Sequence, residues 1–182
     1  RLDDDTTNRS ISLAIERVEL RTVVVKAVEE HLQGERVDIQ LHAPLPACLA
    51  DRASVFTIVG NLIDNALKYS PSNSVVRIEA QVTHLNGRPG VTLRVINAIG
   101  DQGPPDPRHS FEKYYRGPRS RNLSGTGLGL YLSRRLARRM DGELSLAPAQ
   151  PTLVAFELWL PSGIELPERS GDRAQQIQST SR

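Results

Sequence analysis

The sequence predicts an α+β fold, a two-layer sandwich in which a mixed β-sheet carries helices on one face. Three observations predict it. Strand-like and helix-like segments succeed one another along the chain; two alternating segments flank a loop from Asn86 to Gly90 and so form a hairpin; and a helical stripe of apolar residues runs from Ala53 to Leu67. A length of 182 residues fits one domain with room for a core.

The elements follow in order. Residues 1–11 are polar and acidic and read as a linker. Val18 and Leu20 pack with a short helix from Arg21 to Leu32, and a strand at Val37–Ala43 precedes another at Cys48–Ala50. In the next helix Val55, Ile58, Val59, Leu62, Ile63, Ala66 and Leu67 form one stripe, with Asp51 as its N-cap and Ser70-Pro71 as its stop. Val75–Val82 and Val91–Ile96 alternate on either side of a loop spanning Asn86 to Gly90. A helix follows Gly125-Thr-Gly-Leu-Gly129, with Leu128, Leu132, Leu136 and Met140 every four residues. Asp141-Gly142 turns into Glu143–Ala147, and Thr152–Leu160 is the last strand, with Trp159 a core or edge residue. The folded domain is expected over 12–161, with 162–182 a polar, disordered tail.

Two segments carry chemistry. In Asn61-Leu-Ile-Asp-Asn-Ala-Leu-Lys-Tyr69, Asn61, Asn65 and Lys68 share the face opposite the apolar stripe. A solvated face would carry the same residue types. Against that, two amide oxygens suit Mg²⁺, which takes one or two protein oxygens plus phosphates, and a lysine one turn away supplies a charge for those phosphates. Tyr69 ends the helix with a flat ring, and Asp64 lies near the same face, where its carboxylate opposes a polyphosphate unless a metal intervenes. In the second segment Gly125, Gly127 and Gly129 permit close backbone approach, and the helix behind them offers N–H groups to an anion. No Gly-Lys-Ser/Thr follows, so this is not a Walker loop, and no strand precedes it as a dinucleotide fingerprint requires.

These residues resemble the ATP-binding domain of bacterial sensor histidine kinases, within the ATPase group that includes type II topoisomerases, MutL-type repair proteins and heat-shock chaperones. Asn61–Tyr69 resembles the N box, Phe111-Glu-Lys-Tyr-Tyr-Arg-Gly117 the F box, and Gly125–Leu130 the G2 box, in the family's order. The resemblance implies a Bergerat-type fold and ATP with Mg²⁺ as ligands. It makes Asn65 the principal metal ligand with Asn61 beside it, sets Lys68 on phosphate, and sets Tyr69 on adenine or ribose. Gly125, Thr126, Gly127, Leu128 and Gly129 border the triphosphate, while Lys113 and Arg116 belong to the ATP lid. Asn61, Asn65, Lys68 and Arg116 are the catalytic set it implies.

Two departures from the family pattern matter. The G1 box, DxGxG, corresponds to Asn97-Ala-Ile-Gly-Asp-Gln-Gly103, which puts Asn97 where an aspartate meets the adenine amino group. A neutral amide is the weaker acceptor; Asp101 is the alternative base-reading residue, and Gly103 closes the segment. The phosphoacceptor histidine is the second departure. His31 at a helix end, His42 on a solvent-facing strand position, His84 near the hairpin and His109 in the lid all read as structural. The chain is therefore expected to be a piece that begins after the acceptor, with residues 1–11 a linker or the end of a dimerisation hairpin.

Composition removes other classes. No apolar run reaches the ~18–20 residues of a membrane span and no signal peptide is evident; the resemblance to sensor kinases, which are commonly membrane proteins, implies a cytoplasmic domain of a membrane-anchored protein. One cysteine, Cys48, allows no intrachain disulfide and reads as a buried thiol. Nine Lys/Arg and one acid lie between Arg108 and Arg139. Lys113, Arg116 and Arg119 read as phosphate-steering residues, Arg134 and Arg138 as a solvated basic face. With 4% aromatics there is no stacking platform for nucleic acid.

The reading is therefore a histidine kinase catalytic domain. Its partners are ATP, a histidine-bearing dimerisation hairpin and a response regulator receiver domain, with this piece monomeric and the whole protein a homodimer. The alternatives are an anti-sigma-type serine kinase and a degenerate protein-binding module. A topoisomerase-type hydrolase is disfavoured, because Asn61 stands where its glutamate base belongs.

Overall fold

The computed structural model describes residues 12–41, 44–117 and 125–163. The element order is β1 (Ile15–Val18), α1 (Leu20–Glu29), a 3₁₀ turn (Gly34–Arg36), β2 (Val37–Gln40), β3 (Cys48–Asp51), α2 (Arg52–Tyr69), β4 (Val76–Leu85), β5 (Arg88–Ala98), α3 (Gly129–Arg139), β6 (Glu143–Leu146) and β7 (Leu153–Pro161). Five strands form a sheet in the order β2-β4-β5-β7-β6, parallel only between β2 and β4, and β1 and β3 form a separate antiparallel pair. The expected mixed sheet and helical layer are both present. One core joins them: Ile58, Leu62 and Ile63 of α2, Val24 of α1, Ile78, Leu93, Leu158 and Leu160 of the sheet, and Leu144 of β6 are all fully or almost fully buried.

Local chemistry sets α2. The Asp51 side chain accepts a hydrogen bond from the Ser54 N–H at 2.7 Å, and its other oxygen takes the Ala14 N–H at 2.9 Å. The hydrogen bonds from Ser54, then that from Ala14, hold this carboxyl below its usual value of 3.8. Asp51→Ala is expected to lower unfolding stability by about 1 kcal/mol. The depressed carboxyl contributes above its ordinary value and loses that contribution as pH falls through the folded one. Urea unfolding should therefore show the gap between variant and wild type closing in acid.

Four expectations are corrected. The first helix begins at Leu20 and ends at Glu29, and Ile15–Val18 before it is a strand held by Cys48–Asp51. Strand β2 stops at Gln40; His42 and Ala43 lie outside the described residues, as do residues 1–11, Arg119 and the tail from 164 onward. The hairpin turn is only Asn86-Gly87, both at positive φ (52° and 78°), so Arg88, Pro89 and Gly90 belong to β5. In α3 the buried side chains are Ser133 and Ala137, with Met140 just beyond, whereas Leu132 is exposed. Ser162 and Gly163 still pair with the fold, donating to Pro89 and Ala47 carbonyls. Cys48 is buried, and burial pushes its thiol up to about 12.

Candidate functional site

Strand β3 and the Asp51 cap aim α2 so that Asn61, Asn65, Lys68 and Tyr69 open onto a cleft of about 1060 Å³. The opposite wall is the glycine segment before α3, and Asn97, Gly103 and Arg116 lie on the same cleft. Gly125 and Gly129 face α2, and Gly127 faces the F-box segment. A Cβ on Gly125 would lie 2.8 Å from the Lys68 Nζ, so that ammonium rests against this backbone. A Cβ on Gly127 would lie 2.8 Å from both Tyr114 C and Tyr115 O, and Gly127 itself has φ +72°. Gly129 faces Asn61, with 3.8 Å of room. Thr126 also lines the cleft; Leu128 does not, and neither does Lys113, whose ammonium lies over the Tyr114 ring.

The amides are turned to suit a cation. Asn61 donates from Nδ2 to Ser133 Oγ at 3.0 Å, and its oxygen makes no hydrogen bond among the described residues. The Asn65 side chain makes no hydrogen bond among the described residues, although it lines the cleft. Two acceptor oxygens one helical turn apart, beside the Lys68 ammonium, fit magnesium bound together with phosphates.

Asn97, next to last in β5, lies in the cleft wall, is 3% exposed, and donates Nδ2 to the Ala98 carbonyl at 2.7 Å, which commits its nitrogen and leaves the oxygen as an acceptor. Asp101 is exposed and does not line the cleft. Ile99, Leu130, Val154 and Phe156 supply an apolar surface nearby. Phe111 packs edge-on against Phe156 at 6.0 Å and lies under the Arg134 guanidinium at 4.7 Å, which anchors the start of the F-box segment.

Sequence reading missed several participants. Asp106, Ser110 and Tyr115 line the cleft. Asp106 pairs with His109 at 2.8 Å, and the His109 ring stacks on Tyr115 at 5.6 Å. That pair holds the carboxyl below its ordinary value and the imidazole above its own, chiefly through their mutual hydrogen bond. The segment is clasped to the glycine loop by Tyr114 N–H donating to Gly127 O at 3.0 Å, with Tyr114 itself at φ 64°. His31 is a cleft residue paired with Asp64 at 2.6 Å, so its role is not confined to the end of α1. Arg134 and Arg138 both bind Glu143, at 2.7 and 3.0 Å, while Arg138 stays 55% exposed and Arg134 33%. Burial alone would raise the Glu143 carboxyl, but the hydrogen bonds from Arg138 and Arg134 outweigh it and hold it low.

Comparison with known proteins decides the family. The family described as histidine kinase-, DNA gyrase B-, and HSP90-like ATPase matches residues 50–164, which include α2, the glycine segment and all of the cleft lining except His31 and Gln33. The chain belongs to this family. It carries the family's ATP-binding catalytic domain. It is 30% identical over 187 aligned positions to the sensor-like histidine kinase SenX3 of Mycobacterium tuberculosis, covering 91% of this chain and 44% of that one. The sensor histidine kinase GlrK of Escherichia coli is 31% identical, covering 88% and 34%. This chain thus spans less than half the length of these relatives. The structure of the mycobacterial sensor histidine kinase MprB superposes with a TM-score of 0.60 at 24% identity, covering 81% of this chain and 97% of that one. That of full-length ShkA in complex with AMPPNP gives 0.62 at 22% identity, covering 84% and 32%. Both confirm the fold. Among the described residues no helix is long and apolar enough to cross a membrane.

Proposed function

We propose that the chain binds ATP with magnesium in this cleft and, within a longer sensor histidine kinase, passes the γ-phosphoryl to a histidine on a dimerisation hairpin. A response regulator receiver domain then takes the phosphoryl group, and the domain works on the cytoplasmic side of a membrane-anchored homodimer. The observation that carries the reading is the convergence of Asn61, Asn65 and Lys68 with Gly125, Gly127 and Gly129 on one cleft.

Asn65 and Asn61 would hold the metal, and magnesium, when bound, would neutralise phosphate charge. Lys68 binds a phosphate oxygen as a point charge, and the N–H groups before α3 meet the others. Arg116 adds its guanidinium from the lid. The Asn97 oxygen accepts from the adenine amino group, with Val154 and Phe156 against the base. Held in this way, the γ-phosphorus forms its bond to the acceptor imidazole nitrogen as its bond to the bridging oxygen breaks, and ADP leaves.

With γ-labelled ATP, the chain alone should stay unlabelled, while a supplied histidine-bearing hairpin from a related kinase should take label. Acid-labile label on His31, His84 or His109 contradicts this. Base reading is tested separately. Asn97→Ala should weaken ATP and ADP alike by about fivefold, the worth of one neutral hydrogen bond, and leave the magnesium dependence intact. Asp101→Ala should change neither. Calorimetric titration gives both answers, and the reverse pattern reassigns the base to Asp101.

A further inference from the structure

Asp64 is the only acidic residue in α2, and it lines the cleft with Asn61, Asn65 and Lys68. A carboxylate there works against a polyphosphate, yet the fold holds it in place. His31 Nε2 lies 2.6 Å from Asp64 Oδ1, and the Gln33 N–H donates to His31 Nδ1 at 3.1 Å. With Nδ1 occupied as an acceptor, the ring proton of the neutral imidazole sits on Nε2 and points at the carboxylate. The turn behind His31 is tightly closed: its N–H donates to Val28 O at 3.1 Å, and Gly34 N–H donates to His31 O at 3.0 Å. A Cβ on Gly34 would lie 2.4 Å from Val28 O, so only glycine closes this turn. Sequence and turn together fix an imidazole, 19% exposed, over an aspartate whose own side chain is 67% exposed.

We propose that the His31–Asp64 pair makes this cleft select magnesium-complexed nucleotide over metal-free nucleotide, with Asp64 as the discriminating charge and His31 as the residue that positions it. The inference rests on the ATP reading of the cleft. Metal-free ATP brings about four negative charges, and its magnesium complex about two fewer, so a fixed carboxylate opposes the first more strongly. Its exposure moderates the effect, because salt screens it within about 8 Å.

The test is calorimetric titration of the whole chain with ATP, in magnesium and in EDTA, with thermal unfolding to confirm each variant is folded. Asp64→Asn keeps the shape and removes the charge. It should tighten metal-free ATP by about three- to tenfold, a gain that shrinks as ionic strength rises, and tighten magnesium-ATP, with about half the charge, by only about two- to threefold. His31→Ala should lower selectivity in the same direction, and His31→Gln, which retains an N–H donor, should restore it. An unchanged ratio of the two affinities in Asp64→Asn, or an equal loss in both, overturns the inference while leaving the nucleotide reading in place. No ATP binding by the wild-type chain overturns that reading and the inference with it.

Discussion

Gly127→Ala is expected to weaken ATP binding at least about tenfold while shifting unfolding stability by less than about 1 kcal/mol. The glycine sits at φ +72°, a conformation that costs an L-residue roughly 1–2 kcal/mol. The added carbon would also meet Tyr114 C and Tyr115 O at 2.8 Å, both backbone atoms that cannot swing aside. The loop's cheapest escape is to abandon the Tyr114–Gly127 hydrogen bond, which opens the clasp between lid and glycine segment. No core residue depends on that clasp, so the damage falls on the cleft and not on the fold. Gly129→Ala is the control: its Cβ would lie 3.8 Å from Asn61, an ordinary contact. Calorimetry on the pair, with urea unfolding alongside, separates a specific loop effect from a general loss of order.

Asn65→Ala is expected to abolish the gain in ATP affinity that magnesium brings, leaving the weaker metal-independent binding close to wild type. Its amide lines the cleft with no partner among the described residues, so removing it leaves no buried group unsatisfied. The loss therefore reports the ligand role and not structural damage. Losing one of two protein oxygens around a magnesium ion should weaken magnesium-ATP by at least about tenfold, about 1.4 kcal/mol. Asn61→Ala should do less for the metal and more for the fold, because Asn61 also donates to Ser133 Oγ across the α2–α3 contact. Titration in magnesium and in EDTA gives both numbers for each variant. Equal magnesium enhancement in wild type and Asn65→Ala contradicts the ligand assignment.

The parts of the fold legible in the sequence are those fixed by local spacing. The α2 stripe and its Asp51 cap depend on residues within a few positions, and both stand as read. Where the sequence misled, a distant residue decided the outcome. Pro89 and Gly90 look like turn residues, yet Gly90 is required by packing: its Cβ would lie 2.5 Å from the Trp159 ring. In α3 the leucines recur every four residues, whereas a helix turns every 3.6. The spacing drifts off the buried side by Leu132, and the close approach to α2 falls to the small Ser133 and Ala137. The partner of Arg134 and Arg138 was not legible because Glu143 lies beyond the next turn, in β6.

The candidate site divides in the same way. The α2 amides and the glycine triplet are contiguous motifs and could be read directly. The His31–Asp64 pair joins the end of α1 to α2 across 33 positions, and no local pattern announces it. Tyr115 lay inside a recognised motif, but its stacking on His109, and the Asp106 pairing beneath it, arise from the folded path of the loop. Lys113 stands in the same motif, and its ammonium lies over the Tyr114 ring, outside the cleft lining.

On the proposed reading, nucleotide occupies the cleft between α2 and the glycine segment. Backbone amide chemical-shift mapping of the ¹⁵N-labelled chain, titrated with ATP and magnesium, tests it most directly. The largest shifts should fall on Asn61, Asn65, Lys68 and Gly125 to Gly129, with Asn97 among the affected amides and the Asn86-Gly87 turn unchanged. Saturating shifts confined to the far end of the sheet, around Arg88 and Trp159, or no shifts at millimolar ATP, would contradict it.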